Sequence, residues 1–292
     1  MMRVVTVWAL VAATLLLPKP AVAQDPALPD LLARAADYHD SYKVRVSGAT
    51  VEEHYSLTRL IAGRMETPVR FASDVVLLNV NGRVIGLRDP FSVDNVRLRE
   101  REARIVNLLA EPTLEGWRRA QGYAAEQNFR FLFDLILTLN DPSLALQFIS
   151  RDMQPKITYK VEKQEKLNGI AVTRIGFKEN GDGTKPFVLG TKGNAAAAGR
   201  VWIDNATGAV LKTELWATSP NESVVNTVIY AKAAELDLWL PSKMTETYSW
   251  KEMDDVASNR SVGAYGQRLS FQTSASYSNP RHTPVDLAKI RR

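Results

Sequence analysis

The sequence predicts an α+β fold, a large curved antiparallel sheet with helices packed against it. Three observations carry this. Residues 28 to 42 place apolar side chains at helical spacing, whereas from Lys156 onward they recur with a period of two. The later strands follow one another through turns with no crossover helix, which is the pattern of an antiparallel meander. The stretch GRVWIDNATGAVLKTELWA, residues 199 to 217, is apolar on both strand faces, with Val201, Ile203, Leu211 and Leu215 set against Trp202, Val210 and Trp216. A surface hairpin needs only one such face, so this one lies in a larger assembly or meets something outside the chain.

The chain begins with a secretory leader. Residues 1 to 23 carry Arg3, an apolar run from Val4 to Leu17, Pro18 and a small-x-small site ending at Ala23. The run is shorter than the roughly 20 residues that span hydrocarbon, so cleavage near Ala23 is expected, with a mature chain that has no transmembrane segment. Export without a single cysteine points to a periplasmic or secreted protein held by its core alone, with no acyl anchor on a cysteine.

Helix one starts at Leu28, with Pro29 and Asp30 suiting a first turn, and is expected to continue past Gly48 to about Glu53 because TVEEHY contains no breaker. The segments YSLTRLI and VRFASDVVLLNV (69 to 80) then read as strands, and Asn81-Gly82-Arg83 as a hairpin turn. A helical region covers about 96 to 127, interrupted near Glu111-Pro112. The most apolar internal segment, 129 to 150, reads as one or two buried helices, with Asp141 capping and Pro142 in the first turn; as an alternative to core it gives a greasy lid.

From ITYKVEKQEKLNGIAVTRIGF the pattern is β, and Asn168-Gly169 closes a tight hairpin. Strands follow at about 200 to 204, 209 to 217, 223 to 232, 242 to 251 and 267 to 278, and the Gly-rich stretch 178 to 199 reads as a mobile loop. Residues 24 to 292 form one domain with a helical insertion at about 96 to 150, since the early strands need the later sheet to pair with.

Composition narrows function. With 45% hydrophobic and 24% charged residues the chain is globular, and loss of Arg3 and Lys19 with the leader lowers the formal charge of +5 by two. In RLREREAR the glutamates alternate with the arginines, as on a solvated helix face, so nucleic acid is excluded as a partner. Of the three histidines, His39, His54 and His282, the first two lie 15 residues apart and cannot share a metal even on one continuous helix, and no HExxH, GxSxG or phosphate loop occurs. Glu52, Glu53 and His54 form an acid-base trio in sequence only, because neighbours on a helix point in different directions. No catalytic residue, cofactor or metal is assigned, and the chain is read as a non-enzyme.

What the strands carry instead is aromatic and aliphatic surface. A curved sheet has an inside, and a barrel of about eight strands is wide enough to hold one ligand. The candidate lining is Phe71, Val75, Leu77, Trp202, Leu211, Leu215, Trp216, Tyr230, Tyr248, Trp250 and Phe271.

The leader, amphipathic helix, strands, helical insertion and meander, together with GRVWIDNATGAVLKTE and LDLWLPSKMTETY, resemble the periplasmic lipoprotein-sorting carriers of the Lol type (LolA/LolB-like). The runs EEHY, SDVVLLNV, GLRDPFSVD and LWLPSKMTETY are similar to secreted bacterial proteins of that general type. The resemblance implies an incomplete β-barrel covered by helices and enclosing a hydrophobic cavity, with a lipid or lipidated protein as partner. It also marks Arg88, Phe131 and Phe133 as lid or latch candidates; a surface arginine pairing near Asp89 is the alternative for Arg88. The competing function is a cell-envelope protein-interaction module with no lipid ligand.

Overall fold

A computed structural model describes residues 27–61, 64–98, 104–110, 113–126, 141–180, 188–190, 193–218, 222–250 and 269–289. Helix α1 (Leu28–Arg45) has Pro29 and Asp30 in its first turn, Lys43 and Arg45 in its last, and buries Leu31, Leu32, Ala35, Ala36, His39 and Tyr42. The charges at both ends suit the helix dipole.

The helix does not reach Glu53. It stops at Arg45, Gly48 turns the chain at φ +95°, and strand β1 (Ala49–Ile61) begins immediately. A side chain at position 48 is impossible, because a Cβ would lie 1.8 Å from the Thr283 carbonyl oxygen. The segment that lacked a helix breaker is instead alternating β sequence, with Val51, Glu53 and Tyr55 buried on one face and Glu52 and His54 turned to the other.

The remaining strands are β2 (Arg64–Met65), β3 (Val69–Val80), β4 (Arg83–Val93), β5 (Val96–Arg97), β6 (Ile157–Leu167), β7 (Ile170–Glu179), β8 (Val188–Gly190), β9 (Gly193–Asp204), β10 (Val210–Thr218), β11 (Glu222–Ala233), β12 (Leu238–Trp250) and β13 (Leu269–His282). Their order across the sheet is β5-β4-β3-β1-β13-β12-β11-β10-β9-β7-β6, all antiparallel, with β2 on β1 and β8 on β9. Pairing of β1 with β13 joins the N-terminal strands to the C-terminal meander, so neither group stands alone. The sheet stays open, ending at β5 and β6.

Three element boundaries depart from the sequence reading. The helical region expected from 96 opens with strand β5, and its helices are α2 (Arg104–Ala110) and α3 (Leu114–Glu126), on either side of the expected break. Of the apolar segment 129 to 150 only 141 to 150 is described, and there Leu144–Ile149 is a 3-10 turn rather than an α-helix. Asp141 nevertheless organises its start, accepting from the Ser143 N–H and hydroxyl at 2.8 and 2.6 Å and from the Gly86 N–H at 3.0 Å. Part of the stretch read as a loop from 178 to 199 is strand, since β9 already pairs with β10 from Ala196.

Helices cover both faces of the sheet. The main core lies on the concave side, where α1 and the 144–149 turn pack on Val51, Phe71, Val75, Leu77, Leu215, Tyr230, Tyr248 and Phe271. On the convex side α2 and α3 cover β3 and β4 through Ile105, Val106, Leu109 and Ala120 against Val76 and Leu78. The outward residues of β13 and β12 are Gln272, Ser274 and Ser276, and Thr245, Thr247 and Ser249, a solvated face of the kind an antiparallel sheet can leave uncovered.

Candidate functional site

A polar band crosses the otherwise apolar concave wall, because strand alternation places one or two polar side chains of each central strand at the same height. On β1 the inward series runs Val51, Glu53, Tyr55, and on β12 it runs Met244, Glu246, Tyr248. Glu53 and Glu246 are 0% and 2% exposed. Burial of a carboxylate this complete demands partners.

Glu53 finds a cation. Arg88 on β4 donates from Nε to Oε2 at 2.6 Å and from Nη2 to Oε1 at 2.8 Å, and the Tyr277 hydroxyl on β13 donates to Oε1 at 2.9 Å. Burial opposes the Arg88 charge, but the attraction and hydrogen bonds of Glu53 outweigh it and hold the guanidinium well above its usual value. The reading of Arg88 as a surface arginine paired near Asp89 is therefore corrected: Arg88 is 5% exposed, and Asp89 faces the other side of the strand, where it pairs with Arg104 of α2.

Glu246 is held differently. It accepts from Asn226 at 3.2 Å, Tyr248 at 3.0 Å, Tyr55 at 3.2 Å and Thr273 at 2.8 Å, four side chains from four strands. Burial raises its pKa, and these donors with the more distant Arg88 pull the other way without cancelling it. The guanidinium of Arg88 also lies 5.9 Å from the Tyr55 ring, so the two halves of the band are in contact.

At one end of the concave wall a groove of about 310 Å³ is bordered by Val51 and Tyr277 on the inside, and by Leu240, Pro241, Pro280 and the 231–235 segment at its rim. A larger groove of about 800 Å³ lies between α3, the β3–β4 turn and the C-terminal residues 284–289. Under α1 only about 10 Å³ is open, beside His39, Tyr42, Leu146 and Tyr230. A further pocket of about 120 Å³ opens beside Tyr55 and Phe71 near Arg70, Ser92 and Asn95.

The candidate lining residues divide by face. Phe71, Val75, Leu77, Leu215, Tyr230, Tyr248 and Phe271 come together in the concave core. Trp202 and Leu211 belong to a separate cluster with Val172 and Ala209, and Trp216 is half-buried on the same outer face. Trp250 ends β12 with its side chain outside the described residues, as are Phe131 and Phe133.

The two-faced hairpin is thereby explained without a partner. The Lys212 ammonium sits 4.2 Å from the centre of the Trp202 ring, whose N–H donates to Glu165 at 2.7 Å, and Arg200 covers Trp216 at 4.8 Å. An ionic ladder supports these cations across four strands: Glu162 binds Arg174 at 3.0 Å and Arg200 at 2.7 Å, and Glu214 binds Lys212 at 2.7 Å. Cations over indole faces shield them from water.

Glu246, Asn226 and Tyr277 were not among the sequence-level site residues, and Glu53 entered there only as a member of the acid-base trio. A signal existed in the phase of the strands: an acidic residue in the inward register of β12 is a buried carboxylate once the apolar face is assigned. Glu52 and His54 bond each other at 2.9 Å on the opposite face from Glu53, so the acid-base trio does not converge. Among the described residues no group of three or more His, Asp or Glu side chains could hold a metal ion. No helix there is long and apolar enough to cross a membrane.

No protein-family model matches the chain, and no curated protein matches it. Among solved structures the chain is similar to a domain assigned to outer membrane lipoprotein sorting from Vibrio parahaemolyticus, at 12% identity and a TM-score of 0.40 over 86% of this chain and 93% of that one. It is also similar to a DUF1329 family protein from Desulfovibrio piger, at 12% identity and 0.33 over 87% and 90% of the two chains. A LolA superfamily protein from Nitrosomonas europaea gives 10% identity and 0.34 over 89% and 97%.

Proposed function

We propose that this protein is a non-catalytic binding protein of the bacterial periplasm or exterior that takes an acyl chain or another apolar ligand onto the concave side of its open sheet. The observation that carries the reading is the groove of about 310 Å³ at the end of the concave wall, whose inner border, Val51 and Tyr277, belongs to the main core. That volume lies in the size class of ligand sites, and its walls are mostly aliphatic and proline. The leader at residues 1 to 23 and the absence of cysteine favour the envelope location.

Beyond the groove, Phe71, Val75, Leu77, Leu215, Tyr230, Tyr248 and Phe271 form the wall against which a longer chain lies, in exchange for contacts now made by α1 and the 144–149 turn. Native mass spectrometry of protein purified without detergent, followed by organic extraction, tests the reading. A co-purifying amphiphile or apolar adduct is expected. Ligand-free protein that also fails to bind a neutral apolar dye overturns it.

A further inference from the structure

The 144–149 turn enters the concave core without joining the backbone framework of the sheet. Its backbone bonds are local: the Leu146 N–H donates to the Ser143 carbonyl at 3.1 Å and the Ser150 N–H to the Gln147 carbonyl at 3.0 Å. Among the described residues its ties to the strands run through side chains. Ser143 donates to the Val84 carbonyl at 2.9 Å, Tyr230 to the Pro142 carbonyl at 2.7 Å, and Tyr159 to the Phe148 carbonyl. A single 3-10 turn has weak internal bonds of its own. Yet Leu146, Phe148 and Ile149 are at most 5% exposed, and the Phe148 ring stacks on Phe177 of β7 at 4.9 Å.

Helix α1 is built in more firmly. It runs into β1 through residues 46–48, and the Gly48 N–H donates to the Leu77 carbonyl of β3 at 2.8 Å. Toward its other end, the Arg34 carbonyl oxygen lies so close to the 205–208 turn that a Cβ on Gly208 would be 2.5 Å from it. The fit between helix and 144–149 turn is poor. His39 and Tyr42 meet Leu146 and Ile149 around the void of about 10 Å³, and both His39 nitrogens and the Tyr42 hydroxyl lack hydrogen-bond partners, as does the Gln147 amide nitrogen on the turn itself. Buried polar atoms left in this way favour a state in which the turn withdraws and they meet water or a ligand.

We propose that the 144–149 turn is an internal plug, with Leu146, Phe148 and Ile149 standing where the apolar chain of a ligand goes, so that the ligand displaces the turn while α1 stays in place. The inference rests on the apolar-ligand reading above and adds the regulation of that site. Apparent affinity is the intrinsic affinity scaled down by the fraction of molecules whose plug is withdrawn.

Hydrogen exchange of the full mature chain, with and without saturating phenylnaphthylamine, a neutral apolar dye, tests the plug. The dye is expected to speed exchange of the Leu146 and Ser150 amides several-fold and to leave residues 28–45 unchanged or slower. Faster exchange along α1, or unchanged or slower exchange across 144–150 with the dye bound, overturns the plug and leaves apolar binding standing. Phe148→Ala shortens the plug and should bind the dye about tenfold more tightly, whereas Leu78→Ala, which opens a cavity in the cluster under α2 and α3, should not. A Phe148→Ala affinity at or below that of the unaltered chain, or an equal gain in Leu78→Ala, also overturns the plug. If neither the unaltered chain nor Phe148→Ala binds the dye, the apolar-ligand reading falls with it.

Discussion

Arg88 reaches across a whole strand to Glu53. Val75 of β3 lies opposite both Val51 of β1 and Arg88 of β4, so the two bidentate bonds at 2.6 and 2.8 Å tie strands that are not neighbours. Two strand spacings come to roughly 10 Å, a span that the long Arg88 side chain and Glu53 cover together when both point to the same face. Burial also excludes water from a pair that would be costly if either partner were lost.

Replacing one partner therefore costs more than replacing both. Arg88→Met should destabilise the fold by about 3 to 5 kcal/mol by leaving Glu53 buried without its cation, and Arg88→Met with Glu53→Leu should recover most of that loss. Urea midpoints of the two single variants and the double variant check this. Additive losses would show that the pair is not coupled.

Glu246 offers a contrast between charge and hydrogen bonding. Its folded pKa is raised above the ordinary 4.5, so the folded state takes up the proton first as pH falls. The stabilising contribution is complete below pH 4.5 and is lost as pH rises through the folded pKa. Glu246→Gln should remove this dependence at a cost of roughly 1 kcal/mol, whereas Glu246→Leu should cost about 3 or more because it leaves four donors unpartnered. Thermal melts from acidic to neutral pH distinguish the two.

His39 acts with the opposite sign. It is 1% exposed on α1, neither ring nitrogen has a hydrogen-bond partner, and burial, with Lys43 nearby, pushes its pKa down from 6.5 to about 4. Asp40 and Asp152 partly offset that push. The unfolded chain gains the proton first, so stability is fully present above pH 6.5 and falls as pH drops toward about 4. The loss amounts to at most about 3 kcal/mol. His39→Leu should flatten this slope, measured by denaturant titrations at several pH values; an unchanged slope would mean that His39 is hydrated.

Gly199 is a packing requirement. A Cβ there would lie 2.1 Å from the Glu214 carbonyl oxygen and 2.5 Å from the Phe177 ring. Gly199→Ala should cost about 3 kcal/mol or more by separating β9 from β10. The same substitution at Gly82 or Gly169, where no neighbour lies within 4 Å but φ is positive, should cost less, about 1 kcal/mol. Urea midpoints for the three variants give the order.

The strands from Ile157 onward were legible because their alternation is strong and Asn-Gly or Asp-Asn-Ala-Thr-Gly turns separate them. Helix α1 was legible at its start but not at its end: the stop at Arg45 is set by Gly48 against Thr283, a contact across 235 positions of sequence that no local pattern records. The candidate lining was half legible. The sequence marked Trp202 and Trp216 as apolar, but only the positions of Lys212, Glu165 and Arg200 on neighbouring strands show them capped on the outer face.

By itself the sequence determined the class of fold, an open antiparallel sheet with helices, because hydrophobic period and turn chemistry are local properties of the chain. It also determined which side chains alternate together along each strand. Which face is concave, that Glu53 meets Arg88 and Tyr277, and that Glu246 gathers donors from four strands were decided by tertiary structure alone. The reason is that long-range register brings together residues as distant in sequence as Glu53 and Tyr277, 224 positions apart, and such contacts belong to the assembled sheet rather than to any segment of it.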